Sequence, residues 1–284
     1  MLFRQSYMPT YYPKRALEIL SQDGPVELFK SSTRFILRQL DPKHHHRFRF
    51  HTWKNHLQNC ARYDAPPDPY KTIEIRPSEI KHRVGRNKTL DGNKPPLRKV
   101  KEKGLARTKS GEWDSPPHRL NVEEIYIVKG MIQRFGAGME WEKTEYYKHI
   151  FEKYSKTNQH KQKGFDDLQN YMQKRCESYD DLFESIENKG YISGHNGSRL
   201  EPNRTQPIRD QLEVLVVIDR DGEVCFFEGN HRFGIARVLD IEIPAHVVCR
   251  HKQWQELRDE IHNNGLPEDR EDLRNHPDLQ DILD

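Results

Sequence analysis

Five consecutive residues, Glu228-Gly229-Asn230-His231-Arg232, combine side-chain types that handle anions. Gly229 permits close backbone approach to a ligand, and Asn230 suits a helix cap. If a helix opens here, the free N–H groups of its first turn form an anion site. His231 and Arg232 add donors and positive charge matched to phosphate. Glu228 can accept a proton or hold a metal ion. The alternative is a plain capped helix whose Arg232 pairs with a nearby carboxylate. A second pair, Arg250-His251, is followed one turn later by Trp254. His251 can donate to a phosphate or act as a general acid. Equally, it can cap a final helix with Trp254 packed beneath it.

The elements that must position these residues are legible. Leu212–Asp219 (LEVLVVID) is an apolar run interrupted by Glu213 and predicts a strand. Arg220-Asp221-Gly222 carries the Asp-Gly signal of a tight hairpin. Glu223–Glu228 (EVCFFE) is the returning strand. Gly229-Asn230 then opens a helix over His231–Leu239. Ile243–Arg250 (IPAHVVCR) predicts another strand, and about Gln253 to His262 a final helix.

The whole run Val216–His251 (VVIDRDGEVCFFEGNHRFGIARVLDIEIPAHVVCRH) resembles the ParB/sulfiredoxin superfamily. Members share a strand–turn–strand ending in G-x-H-R or G-x-R-R, a helix with small residues, and a strand beginning near I-P. Lys71–Ile80 (KTIEIRPSEI) is similar to the first strand of that core. Tyr179–Ile192 (YDDLFESIENKGYI) is similar to its glycine-ended helix. The Gly111–Asp114 motif (GEWD), Gly138–Tyr147 (GMEWEKTEYY) and Arg250-His251 with Trp254 resemble an archaeal and bacterial branch of such proteins.

What the resemblance implies is a nucleotide site, with ATP or CTP and Mg2+ as ligands and phosphoryl transfer or hydrolysis as the reaction. The carry-over reaches Glu228, Gly229, Asn230, His231 and Arg232. Arg250 and His251 are added as candidate nucleotide contacts. The candidate roles are Glu228 and His231 in catalysis, Glu228 at the metal, and Gly229, Asn230, Arg232, Arg250 and His251 on the nucleotide. Sulfiredoxin chemistry does not carry over, because its motif cysteine is here Asn230. Cys225 lies upstream on the returning strand and suits a packed thiol.

The charge is divided unevenly. The 284 residues carry 47 Lys+Arg and 44 Asp+Glu, a formal +3. Met1–Ser110 holds 24 Lys+Arg to 10 Asp+Glu, whereas the rest holds 23 to 34. A basic third of this size suits an anionic partner, nucleic acid or an acidic membrane surface, or else an internal neutralisation. Residues 13–40 look helical in two pieces broken at Asp23-Gly24-Pro25. In the second, Val26, Phe29, Ile36, Leu37 and Leu40 recur at helical spacing, with Lys30, Arg34 and Arg38 on another face. Residues 41–70 are rich in His, Arg and aromatics. Adjacent His44-His45-His46 cannot all face one metal from a regular element.

Arg83–Pro117 is polar and predicts a long loop, ending at Trp113-Asp114, where a Trp could stack on a base or simply anchor an edge. Residues 120–176 predict helices, with Glu140 and Glu142 at a solvated helix start. Tyr179–Asn188 predicts a further short helix capped by Ser178 or Asp180. Asn264–Asp284 has seven acidic residues to two Arg and predicts a solvated, partly disordered tail.

The expected fold is α+β. A small mixed sheet with a ParB/sulfiredoxin-like core spans 71–263, with a helical insertion at about 83–175. A basic helical arm occupies 1–70 and an acidic tail 264–284. No run approaches the roughly 18 apolar residues of a spanning helix. The start has no apolar signal region, and Cys60, Cys176, Cys225 and Cys249 form no CxxC pair. The expected setting is cytoplasmic, with association to a membrane surface left open. A non-enzymatic module docking to acidic membrane or nucleic acid is the alternative to the nucleotide enzyme. Nuclease chemistry ranks last, for want of a dense carboxylate cluster.

Overall fold

The computed structural model describes residues 21, 24–26, 42–84, 97, 103–157, 160–161, 164–193 and 212–283. The amphipathic stretch Val26–Leu40 lies outside them but for Val26. The chain forms two compact units. One contains Tyr126–Ile192, and the other contains Lys43–Ile125 and Ser193–Asp284.

The second unit is built on a seven-stranded mixed sheet. Its strands are β1 (Thr72–Ile75), β2 (His82–Val84), β3 (Arg107–Lys109), β4 (Arg119–Asn121), β5 (Val214–Ile218), β6 (Val224–Glu228) and β7 (Ile243–His251). The order is β1-β7-β5-β6-β2-β4, with β3 also on β7. The centre is β5, parallel to β7 and antiparallel to β6. All five β5 residues are buried, which is why it reads as a continuous apolar run rather than an alternating one. The β5–β6 hairpin turns as expected. Asp219 Oδ1 accepts N–H bonds from Asp221 (3.0 Å) and Glu223 (2.7 Å), the side chain standing in for a backbone acceptor. Gly222 has φ 93°, and a Cβ there would lie 2.2 Å from a Trp254 ring carbon. Only glycine meets both conditions.

Helix α1 (Pro42–Cys60) precedes the sheet, where the sequence predicts only a basic stretch. Phe48, Thr52 and Asn59 are buried at helical spacing. Asn55 Nδ2 donates to the carbonyls of Lys103 and Leu105, and Asn59 Nδ2 donates to that of Ala106. Residues 43–70 therefore belong with the sheet and do not form a separate arm. The predicted long loop Arg83–Pro117 also contributes to the sheet, through the end of β2 and the whole of β3, and Leu97 and Leu105 join its core.

The helical unit contains α2 (Tyr126–Met131), α3 (Glu145–Thr157) and α4 (Leu168–Lys189). The last is one continuous helix of 22 residues, not two. Asp167 caps it by accepting from Asn170 N–H at 2.8 Å. Ser178 and Asp180, expected as caps, sit inside it. Asp180 instead accepts from Arg134 Nε (3.0 Å) and Trp141 Nε1 (3.0 Å). The whole of Tyr179–Lys189 thus lies in the helical unit with α2 and α3. Among the described residues, Arg175 is held by a tyrosine cage: Nε donates to Tyr146 Oη and Nη1 to Tyr171 Oη.

The remaining helices are α5 (Asn230–Leu239), α6 (Lys252–Asn264) and α7 (Gln280–Leu283). The expectation of a solvated acidic tail is corrected. Leu273, Leu279 and Asp278 are buried, and His276 donates through Nε2 to Gly222 O at 2.7 Å. Asp278 is buried because two buried guanidinium groups, Arg250 and Arg258, face it. A carboxylate so paired and hydrogen-bonded can leave water. Among the described residues no helix is long and apolar enough to cross a membrane.

Candidate functional site

The mouth of α5 gathers the candidate residues. Glu228 closes β6 opposite Leu215, after a register shift in the β5–β6 ladder. Gly229 follows in the left-handed region (φ 107°, ψ 33°) and is itself the helix cap. A Cβ on it would lie 3.2 Å from Val214 Cα. This tight corner turns the strand into the helix. Asn230 is consequently the first helical residue and does not cap, a departure from the sequence reading. Its Oδ1 is buried and accepts no hydrogen bond. Buried polar atoms are nearly always paired, so such an atom asks for an explanation.

The helix behind this corner is rigidly seated. Phe233, Ile235 and Ala236 are fully buried, and the Phe233 ring lies 4.2 Å from that of Phe226. At its far end Arg237 Nη1 donates to the carbonyls of Pro77, Ser78 and Ile80. The first-turn N–H groups therefore point in a fixed direction, with no intrahelical acceptors of their own.

Glu213 is the member of this site that the sequence reading passed over. Its carboxylate is fully buried and lies 3.6 Å from Arg232 Nη1. It accepts from Ser193 Oγ at 2.8 Å. Its backbone N–H donates to His246 Nδ1 at 3.3 Å, which leaves the proton of a neutral His246 on Nε2. The Arg232 side chain is about one-third exposed, at 35 %, while its Nη1 meets the buried Glu213 carboxylate. A carboxylate interrupting an apolar central strand was the available signal for Glu213. His246 sits in IPAHVVCR in the same way.

Arg250 and His251 are not brought to this site. In the parallel β5–β7 register Leu215 faces His246, but Ile218 faces Arg250. The pair thus lies at the opposite end of the sheet, about 13 Å further along the strand. Arg250 is buried and bonded through Nε to both Asp278 oxygens. His251 is buried. Its Nδ1 accepts from Gln253 N–H at 3.2 Å, capping α6, and its Nε2 meets Gly111 O at 3.1 Å. Trp254 packs beneath and donates to Asp278 Oδ2 at 2.9 Å. In this structure both side chains have partners within the sheet unit, away from the mouth of α5.

The GEWD motif is likewise internal. Asp114 is buried and accepts from Arg220 at its backbone N–H and Nε, both at 3.0 Å. Burial works to raise its carboxyl, but these bonds hold it below the ordinary aspartate range. Trp113 donates to Lys109 O at 3.0 Å and is buried against His251. The motif therefore clamps the β5–β6 turn to β3 and β7. Cys225 is a packed thiol whose burial drives its pKa well up. Glu140 pairs with Lys143 at the surface.

Glu228 belongs to no cluster of three or more His, Cys, Asp or Glu side chains that could hold a metal ion, among the described residues. It suits a metal held mainly by phosphates, since Mg2+ commonly takes only one or two carboxylates from protein. A helix start and a cationic side chain at the α5 mouth suit an anion, whereas the buried Asn230 Oδ1 is an acceptor that only a donor group could satisfy. No protein-family model matches this chain, nor does any curated protein or solved structure.

Proposed function

We propose that the mouth of α5 binds a nucleoside triphosphate, ATP or CTP, in a ParB/sulfiredoxin-like core, and that the protein transfers or hydrolyses its terminal phosphoryl group. The observation that carries this reading is the buried, unbonded Asn230 Oδ1 beside left-handed Gly229. A hydroxyl or amino group of the ligand would satisfy that oxygen. The first-turn N–H groups and Arg232 would hold phosphate oxygens, Arg232 being oriented by Glu213. His231 would add a donor on the same turn. Glu228 would hold Mg2+ or accept a proton at the strand end. Mg2+, when bound, neutralises charge developing on the phosphate oxygens. The protein's part is then largely positioning.

The test is thermal unfolding of the whole chain with ATP, ADP, CTP or GTP, with and without magnesium. A ligand that binds only the folded state raises the melting temperature by mass action. The reading expects a rise with one triphosphate, followed by release of labelled phosphate that Glu228→Gln abolishes while the melting shift survives. No shift with any nucleotide would overturn it. A second reading, a non-enzymatic docking module for an acidic membrane surface or nucleic acid, is favoured by α1, a 19-residue helix without a single acidic residue.

A further inference from the structure

We propose that α1 docks this protein onto an acidic membrane surface, through Phe50, Trp53 and Leu57 flanked by Arg47, Arg49 and Lys54. The proposal deepens the docking reading and is independent of the nucleotide site.

The helix has two faces of opposite function. Phe48, Thr52, Asn55 and Asn59 recur at spacings of four, three and four, and they pack on or bond to the sheet unit. Phe50, Trp53 and Leu57 recur at three and four on the other side, between about 140° and about 200° round the helix from Phe48. They are 55 %, 56 % and 46 % exposed. The Phe50 and Trp53 rings lie 6.1 Å apart and make one continuous ridge. Apolar side chains scattered singly on a surface need no explanation, but a ridge of three on one helix does.

The charge around the ridge selects the partner. Pro42–Cys60 contains Lys43, Arg47, Arg49 and Lys54 and no Asp or Glu. By helical geometry Arg47 and Lys54 fall on one flank of the ridge and Arg49 on the other. Burial, and then the charges of Lys103, Arg47 and Lys54, hold His51 below the ordinary histidine pKa. An apolar ridge between two cationic flanks matches the layout of a helix lying in a bilayer interface. Aromatic and aliphatic side chains enter the acyl boundary while Lys and Arg meet anionic headgroups. Trp is the residue most at home at that depth. Residues 1–41 are an ill-matched cover, because they too are net basic, with six Lys+Arg to four Asp+Glu. Nucleic acid would match the charge but leaves Leu57, which has no π-face to stack on a base, unused.

Trp53 provides a direct readout. The other three tryptophans, Trp113, Trp141 and Trp254, are 2 %, 6 % and 0 % exposed, so a change in emission on docking reports Trp53. The whole chain is mixed with phosphatidylcholine vesicles with or without about 30 mol% phosphatidylserine. Expected are co-flotation and a blue shift of emission with the anionic vesicles alone. Trp53→Phe should lose the shift and keep flotation. The triple variant F50S/W53S/L57S should lose at least about tenfold in vesicle affinity. Its thermal melt should match the parent, because exposed positions are being changed. Part of the binding should also survive high salt, since the apolar contact is not screened. Absence of flotation, or flotation unchanged in the triple variant, would overturn the proposal. So would a gel shift with single-stranded DNA that the triple variant abolishes without vesicle binding in the parent, or a concentration-dependent dimer that the variant dissolves.

Discussion

The carboxylate of Asp278 takes the Arg250 guanidinium from both oxygens, with Nε 3.1 and 2.9 Å away and a further bond from Nη2. Both side chains are buried, and Arg258 and Trp254 complete the enclosure. An acidic segment thereby becomes part of the core of the sheet unit. Asp278→Ala leaves two guanidinium groups buried without this partner. It should destabilise the fold by about 3–5 kcal/mol, the usual cost of breaking a buried ion pair from one side. Urea unfolding of the two proteins checks this, and a loss below about 1 kcal/mol would contradict the burial described.

The same carboxylate makes stability acid-sensitive. Burial tends to raise it, but Arg250 and Arg258 hold it at about 2, against an ordinary value of 3.8. The folded-state value lies below the unfolded one, so the contribution is fully present above the unfolded value. It is lost as pH falls through the folded one. About 2 kcal/mol should disappear as pH is lowered from about 5 to about 2. In Asp278→Asn this component of the acid limb should be absent in denaturation curves taken across that range.

Gly222 offers a steric test of the hairpin. At φ 93° with Trp254 2.2 Å from a would-be Cβ, Gly222→Ala must strain the turn and displace the indole. The expected loss is about 1–3 kcal/mol from overpacking, with a further contribution from the left-handed backbone. Trp254 near-ultraviolet dichroism should change in the same variant.

Thiol chemistry reports the core. Cys60 is exposed, whereas Cys176, Cys225 and Cys249 are buried, and burial lifts Cys176 to about 12. An aromatic disulfide reagent at neutral pH should titrate one thiol in the folded chain and all four in denaturant, because only an accessible thiolate reacts. Prompt reaction of a second thiol would show that one of the buried sites opens.

At the α5 mouth, Arg232→Ala should weaken nucleotide binding by about 1.5–3 kcal/mol, the worth of hydrogen bonds to a charged group. It also removes a cationic neighbour of the buried Glu213 carboxylate, so the ligand-free melting temperature should fall. Adding Glu213→Gln should recover the melt without recovering the nucleotide shift. Recovery of both would assign Arg232 a purely structural role.

What the sequence determined by itself is the local grammar of the sheet centre. The apolar run at Leu212–Ile218, the Asp-Gly turn, the return strand, the Gly229 corner and α5 all stand where their residues place them, because each depends on neighbours a few positions away. The tertiary structure decided the partnerships. Arg250 and Glu228 are both at strand ends, but only the parallel β5–β7 register puts them at opposite ends of the sheet. Glu213 reads as a blemish in an apolar strand until Arg232, Ser193 and the His246 imidazole surround it. Asn264–Asp284 has the composition of a solvated tail, because composition counts charges and not the buried cations waiting for them. Likewise, the buried face of α1 is made partly with Asn and Thr: Asn55 and Asn59 donate to carbonyls of a distant segment, and Thr52 Oγ1 accepts from the Leu105 N–H. Long-range hydrogen bonds and ion pairs of this kind leave no periodic trace in the sequence, so only folding reveals them.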